Sequence, residues 1–266
     1  MKTYYNNIIS KLENLNKYNI FESAEGNENI LKIEKGKYGI VYEFIEENLS
    51  NHAIIHIQDI LFATESILKY YSKCIEKCLR KFVGDIKKDT KILIVGMGNQ
   101  FIIADSLGNK IAEKLEPTRH LKLTNKINDM PEISIFLPSV LGVTGIETAD
   151  SINAICSIVN PTIIVAIDAL CATTIERFCS TVQFSSDGIT PGAGIGNNRK
   201  KLEEKSLGAK IVAVGVPLLI KYSTIVNSKL KISSMQDIFT SAEIEQVIEK
   251  YAEIISTAIR NLMQIN

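Results

Sequence analysis

The stretch Thr162-Ile163-Ile164-Val165-Ala166-Ile167-Asp168-Ala169 decides the fold class. Its five consecutive apolar residues are too few for a helix of ordinary length and show no polar alternation, which is the pattern of a strand buried on both faces. A second run of the same kind, Lys91-Ile92-Leu93-Ile94-Val95-Gly96, stands upstream of it, and Ile133 to Leu137 and Lys210 to Val216 supply two more. Between them lie helical patterns at Asp105 to Leu115, Glu147 to Val159 and Ala169 to Cys179. Alternation of this kind predicts crossover units around a mainly parallel sheet flanked by helices, an α/β fold.

Outward from this centre, Ile30 to Glu34 and Tyr38 to Phe44 read as a β-hairpin turning at Lys35-Gly36-Lys37, joined by Ala53 to Gln58. Apolar residues from Leu61 to Phe82 recur at helical spacing, predicting one helix from Ile60 to Val83 that ends at Gly84. Strand Lys210 to Val216 is expected to stop at Pro217, and Thr181 to Ser185 to add an edge. Thr240-Ser241-Ala242-Glu243 has the form of a capping box opening a final helix to about Met263. Residues 1 to 17 carry Ile8, Ile9, Leu12 and Leu15 on one helical face, as an exposed arm would. No repeat or linker marks a second domain, so residues 1–266 are read as one.

Thirty basic and thirty acidic residues cancel, leaving no global field that favours nucleic acid or an anionic membrane. The longest apolar run, Ile211 to Ile220, is about half the roughly 20 residues a spanning helix needs, and the amino terminus lacks the features of a secretory signal. Five cysteines without a CxxC pair fit reduced thiols in cytosol. No metal or other cofactor is expected: Cys74 and Cys78 share a helical face but lack nearby histidines.

Ligands of such sheets bind beyond the carboxyl ends of the strands. Asp168 directly follows one strand there, and Asp105 follows another after the loop Met97 to Ala104. Each residue has two readings, a helix N-cap or a member of a carboxylate pair. Two close carboxylates cannot both ionise cheaply, so one keeps a proton while the other is charged. That division suits hydrolysis of a peptide by activated water. The three histidines, His52, His56 and His120, form no triad motif, and His120 is expected to end a helix or enter a strand. Cys171 is read as packing. Gly96-Met97-Gly98-Asn99 lacks the third glycine of a dinucleotide fingerprint. The loop Pro191 to Lys201 ends in three cations and reads either as an anion-holding loop or as a solvated one.

Several collinear motifs carry a resemblance: Gly96-Met97-Gly98-Asn99 with Asp105-Ser106-Leu107-Gly108, Thr118-Arg119-His120-Leu121, Leu141-Gly142-Val143-Thr144-Gly145-Ile146-Glu147-Thr148, Ala166-Ile167-Asp168-Ala169-Leu170, Pro191-Gly192, Gly196-Asn197, Arg199-Lys200 and Gly215-Val216-Pro217. Together they resemble the germination proteases of spore-forming bacteria. The resemblance implies an endopeptidase of the spore core, hence cytoplasmic, that hydrolyses small acid-soluble spore proteins and works as a homo-oligomer. It implies catalytic roles for Asp105 and Asp168, substrate contacts at Gly98, Asn99, Thr144, Glu147 and Arg199, and an amino-terminal arm or propeptide within residues 1–24. It also implies a fold similar to that of the hydrogenase maturation endopeptidases, whose nickel-reading motif matches Gly96 to Gly108 and supplies an alternative reading. A catalytically degenerate binding paralogue is the other alternative. The chain departs from the family at Phe101-Ile102-Ile103-Ala104, where a polar run is usual, and by a shorter segment around Ser228 to Asp237.

Overall fold

A computed structural model describes residues 30–47, 50–57, 59–124, 126–193, 199–225 and 237–264. The expected amino-terminal arm, part of the loop after Pro191 and most of the shortened segment lie outside these residues.

Among the described residues nine strands form one sheet: β1 (Ile30–Lys35), β2 (Val41–Glu47), β3 (Ser50–His56), β4 (Lys91–Gly96), β5 (Glu132–Phe136), β6 (Ile163–Ala172), β7 (Thr181–Ser185), β8 (Lys210–Lys221) and β9 (Ile238–Phe239). Their order is β1-β2-β3-β7-β8-β6-β4-β5, with β9 also on β8. Four helices matter for the packing: α1 (Glu65–Val83), α2 (Leu107–Glu113), α3 (Thr148–Val159) and α4 (Ile244–Met263).

The apolar runs at the centre sort by parity, as a pleated strand requires. Ile92, Ile94, Ile163, Val165 and Ile167 join the larger core under α1 and α4, whose Ile75, Leu79, Tyr251, Ile255 and Ile259 are fully buried. Leu93, Val95, Ile164 and Ala166 join a second core with Ile152 and Cys156 of α3. Burial on both sides is why these strands carry no polar alternation.

The sheet is mixed, which corrects the expectation of a mainly parallel one. β5, β4, β6 and β8 run parallel, but β1, β2, β3 and β7 pair antiparallel, and β7 is antiparallel to β8. Connections of a few residues between β1, β2 and β3 permit only antiparallel neighbours. Strand β7 is no edge: it lies between β3 and β8, and all five of its residues are buried.

The largest local correction falls at Asp168. The helix expected from Ala169 to Cys179 does not form; β6 continues to Ala172, leaving only a single turn at Ile175–Arg177. Its partner β8 likewise runs through Pro217 to Lys221. Pairing between these two strands continues to Ala172↔Ile220, so tertiary contacts override the local helical pattern. A shift of register between Leu170 and Cys171 accommodates the imino residue, which lacks a ladder donor, while the Pro217 carbonyl accepts the Cys179 N–H at 2.7 Å.

Smaller differences have equally local causes. The helix expected from Ile60 is split into a turn at Ile60–Phe62 and α1, which ends as expected at Gly84 with φ 83. Gly36 has φ −100, and Tyr38 takes the left-handed conformation (φ 51) between β1 and β2. At α4 the capping box is absent: Thr240 Oγ1 donates to the Leu218 carbonyl at 2.8 Å, tying the helix entry to β8 instead. His120 sits inside a short helix, Arg119–Leu123. Among the described residues no helix is long and apolar enough to cross a membrane.

Candidate active site

β4 and β6 are neighbours in parallel register, with Gly96 opposite Ile167, and the Met97 N–H donates to the Ile167 carbonyl at 2.8 Å. The loop leaving β4 therefore starts beside Asp168. Gly98 turns it with φ 103, and the following chain folds back so that the Asn99 N–H donates to Asp105 Oδ2 at 2.8 Å. Contacts too close for any side chain hold the loop down. A Cβ on Gly96 would lie 2.4 Å from the Gly108 carbonyl oxygen, and one on Gly98 would lie 2.0 Å from that of Asp105. The glycines of this motif thus serve to bring Asp105 and the start of α2 against the end of β4.

Asp105 and Asp168 face one cleft. Its walls include Met97 and Gly98 from the β4 loop, Ser139 to Leu141 after β5, Ala169 to Cys171 in β6, and Thr190 to Ala193 with Arg199. Neither aspartate is a helix cap. Asp105 precedes α2, yet its carboxylate bonds the Asn99 amide, and Asp168 lies within β6 with Oδ1 accepting the Ala169 N–H at 3.0 Å. Strand parity puts Asp168 on the same side as Ile164 and Ala166, where the cover supplied by α3 gives way to the cleft.

The two carboxyls are electrostatically unequal. Asp105 is half-buried, and loss of water pushes its pKa up to about 6 against the partial compensation of the Asn99 N–H. Asp168 is only 5 % exposed, and burial raises it well above the ordinary range. The negative charge of Asp105 raises it further, and the Ala169 N–H offsets this in part. Asp105 is thus the first of the pair to ionise, and Asp168 keeps its proton beside it.

The other residues singled out from sequence divide. Gly98 and Arg199 line the cleft. Asn99 acts through its backbone on Asp105. Glu147 accepts from Arg199 Nη1 at 3.1 Å through Oε2, with Lys200 on Asp150 and Lys201 on Asp187 extending the ion pairs along the strand of chain that follows the glycine-rich loop. Thr144 is exposed and outside the lining; its hydroxyl bonds the Val140 and Ile146 carbonyls at 3.2 Å each and stabilises its own turn. Cys171, read as packing, is buried and also contributes to the wall. Sequence reasoning passed over Ser139, whose one signal is its place just after a strand of the parallel half. Among the described residues no three His, Cys, Asp or Glu side chains converge as a metal-ligand set.

Comparison with known proteins places the chain in a family. A family model described as germination protease matches residues 50–235. The germination protease of Clostridium tetani is 38% identical over 185 residues, covering 68% of this chain and 57% of that protein. That of Caldanaerobacter subterraneus is 34% identical over 196 residues, covering 68% and 60%, and that of Bacillus subtilis 44% over 144 residues, covering 53% and 39%. The matched region thus spans less than two thirds of the length of these curated relatives. The family model covers β3 through β8, a span that contains both aspartates, and on this match the chain belongs to the germination protease family.

Proposed function

We propose that the chain is an aspartic-type endopeptidase that hydrolyses small acid-soluble spore proteins during germination. The observation that carries this reading is the unequal carboxyl pair in one open cleft, one member ionising near pH 6 and the other protonated beside it. Ionised Asp105 takes a proton from water as the oxygen attacks the scissile carbonyl. Protonated Asp168 donates to the developing oxyanion; as the tetrahedral intermediate collapses, the proton held by Asp105 passes to the departing amine and the hydroxyl proton returns to Asp168. Burial serves both tasks, since it raises the basicity of Asp105 and keeps Asp168 a donor at neutral pH.

Around this pair, Gly98 admits the peptide close to the backbone, Asn99 fixes the orientation of the base, and Arg199, held by Glu147, offers a cation on the cleft wall to an acidic substrate. Thr144 is assigned to the outer rim of the same binding surface. The assay is incubation of the purified chain with a small acid-soluble spore protein at neutral pH, followed by mass spectrometry. Discrete internal fragments are the expected result, and an intact substrate after prolonged incubation rejects the reading.

A further inference from the structure

Ser139 combines two features that no contact among the described residues makes use of. Its backbone is left-handed, φ 58, a conformation that glycine adopts freely and residues with a side chain adopt rarely. Its Oγ is shut off from solvent and has no hydrogen-bond partner among the described residues. A desolvated hydroxyl without a partner is destabilising, and alanine or glycine here would remove that cost. The position is nevertheless well held, since the Ser139 carbonyl accepts the Thr148 hydroxyl at 3.3 Å, anchoring it to the start of α3.

Place in the fold gives these features a common meaning. β5 pairs with β4, so the residues following β5 emerge at the same sheet edge as the loop that carries Asp105, and Ser139 lines the cleft that Asp105 and Asp168 face. Rotation about χ1 moves a serine Oγ among staggered positions without moving the backbone. We propose that the Ser139 hydroxyl is a substrate-positioning group, hydrogen-bonding a main-chain amide of the peptide laid along the cleft and aligning it with the aspartate pair. The proposal rests on the endopeptidase reading and adds to it a residue outside the motifs of the family resemblance.

The test is binding of a fluorescently labelled small acid-soluble spore protein to the full chain carrying Asp105→Asn, which suppresses cleavage, with and without Ser139→Ala or Ser139→Gly. Both second substitutions are expected to weaken the Kd by about tenfold, the size of one lost hydrogen bond. Thermal midpoints are expected to stay equal or rise, most for the glycine, because its backbone is at ease in this conformation. Unchanged affinity overturns the proposal, as does a weakened affinity accompanied by a lowered midpoint in both variants. If the unaltered chain binds with Ser139-dependent affinity but cuts nothing, the endopeptidase reading fails alone. If it does not bind the substrate at all, both fail.

Discussion

Asp105→Asn and Asp168→Asn are each expected to lower the rate of the proposed cleavage of a small acid-soluble spore protein by about 10³-fold, within the range that general acid–base groups contribute. The first removes the proposed base, since an amide cannot take the proton of the attacking water. The second leaves a group of the same shape that holds no transferable proton. Because the pair works as a unit, the double variant is expected to be little slower than either single one. Stability should move the other way. Each carboxyl has a folded pKa raised by burial, so the native state binds protons more tightly than the unfolded chain. For Asp105 that contribution is full below about pH 4, where the unfolded carboxyl titrates, and is lost as pH rises through about 6. The asparagine variants escape this loss, so in urea unfolding at pH 7.5 they are as stable as the unaltered chain or more so. An activity within tenfold of the parent, or a collapse of stability that accounts for the loss, contradicts the assignment.

Gly98→Ala is expected to cost about 10²-fold in kcat, the scale of a displacement of about 1 Å at a reacting group. Its φ of 103 is unfavourable for alanine, and the new Cβ would stand 2.0 Å from the Asp105 carbonyl oxygen and 3.1 Å from its Oδ1. No flexible side-chain end can swing away, because the nearest atoms are backbone; the loop holding the base must shift. Gly142→Ala is the matched control, since a Cβ there meets nothing within 4 Å and its φ is unremarkable. Steady-state kinetics of both variants, with circular dichroism to confirm folding, separate a displaced base from a general loss of structure. Equal activities for the two would show that the approach of Gly98 to Asp105 does not matter for turnover.

How much of this was legible beforehand follows from where each residue's conformation is decided. Ile92 to Val95 and Ile163 to Ile167 read correctly as strands because both their faces are buried, a condition written into composition itself. The cleft was located in outline because Asp105 and Asp168 emerge from two such strands at one edge. The conformation at Asp168 was not legible: Ala169 to Cys179 has an acceptable helical pattern, and the ladder with β8, some fifty residues away in sequence, keeps its first four residues extended. The same distant pairing defeats the usual reading of Pro217 as a stop. Strand β7 looked peripheral because five short residues do not reveal neighbours on both sides. At Ser139 only its place just after a strand pointed to the site, since a left-handed serine carries none of the glycine or asparagine chemistry by which such turns are usually recognised.

The proposed mechanism depends on Asp105 and Asp168 sharing an electrostatic environment, and the carboxyl ¹³C titration of Asp168 measures this directly. Followed by NMR in the parent chain and in the Asp105→Asn variant, its midpoint should fall when the neighbouring charge is removed, yet remain above the ordinary carboxylate range because burial persists. An Asp168 midpoint that is the same in both chains would mean that the two carboxyls do not sense each other, and the division of labour between base and acid would have no basis.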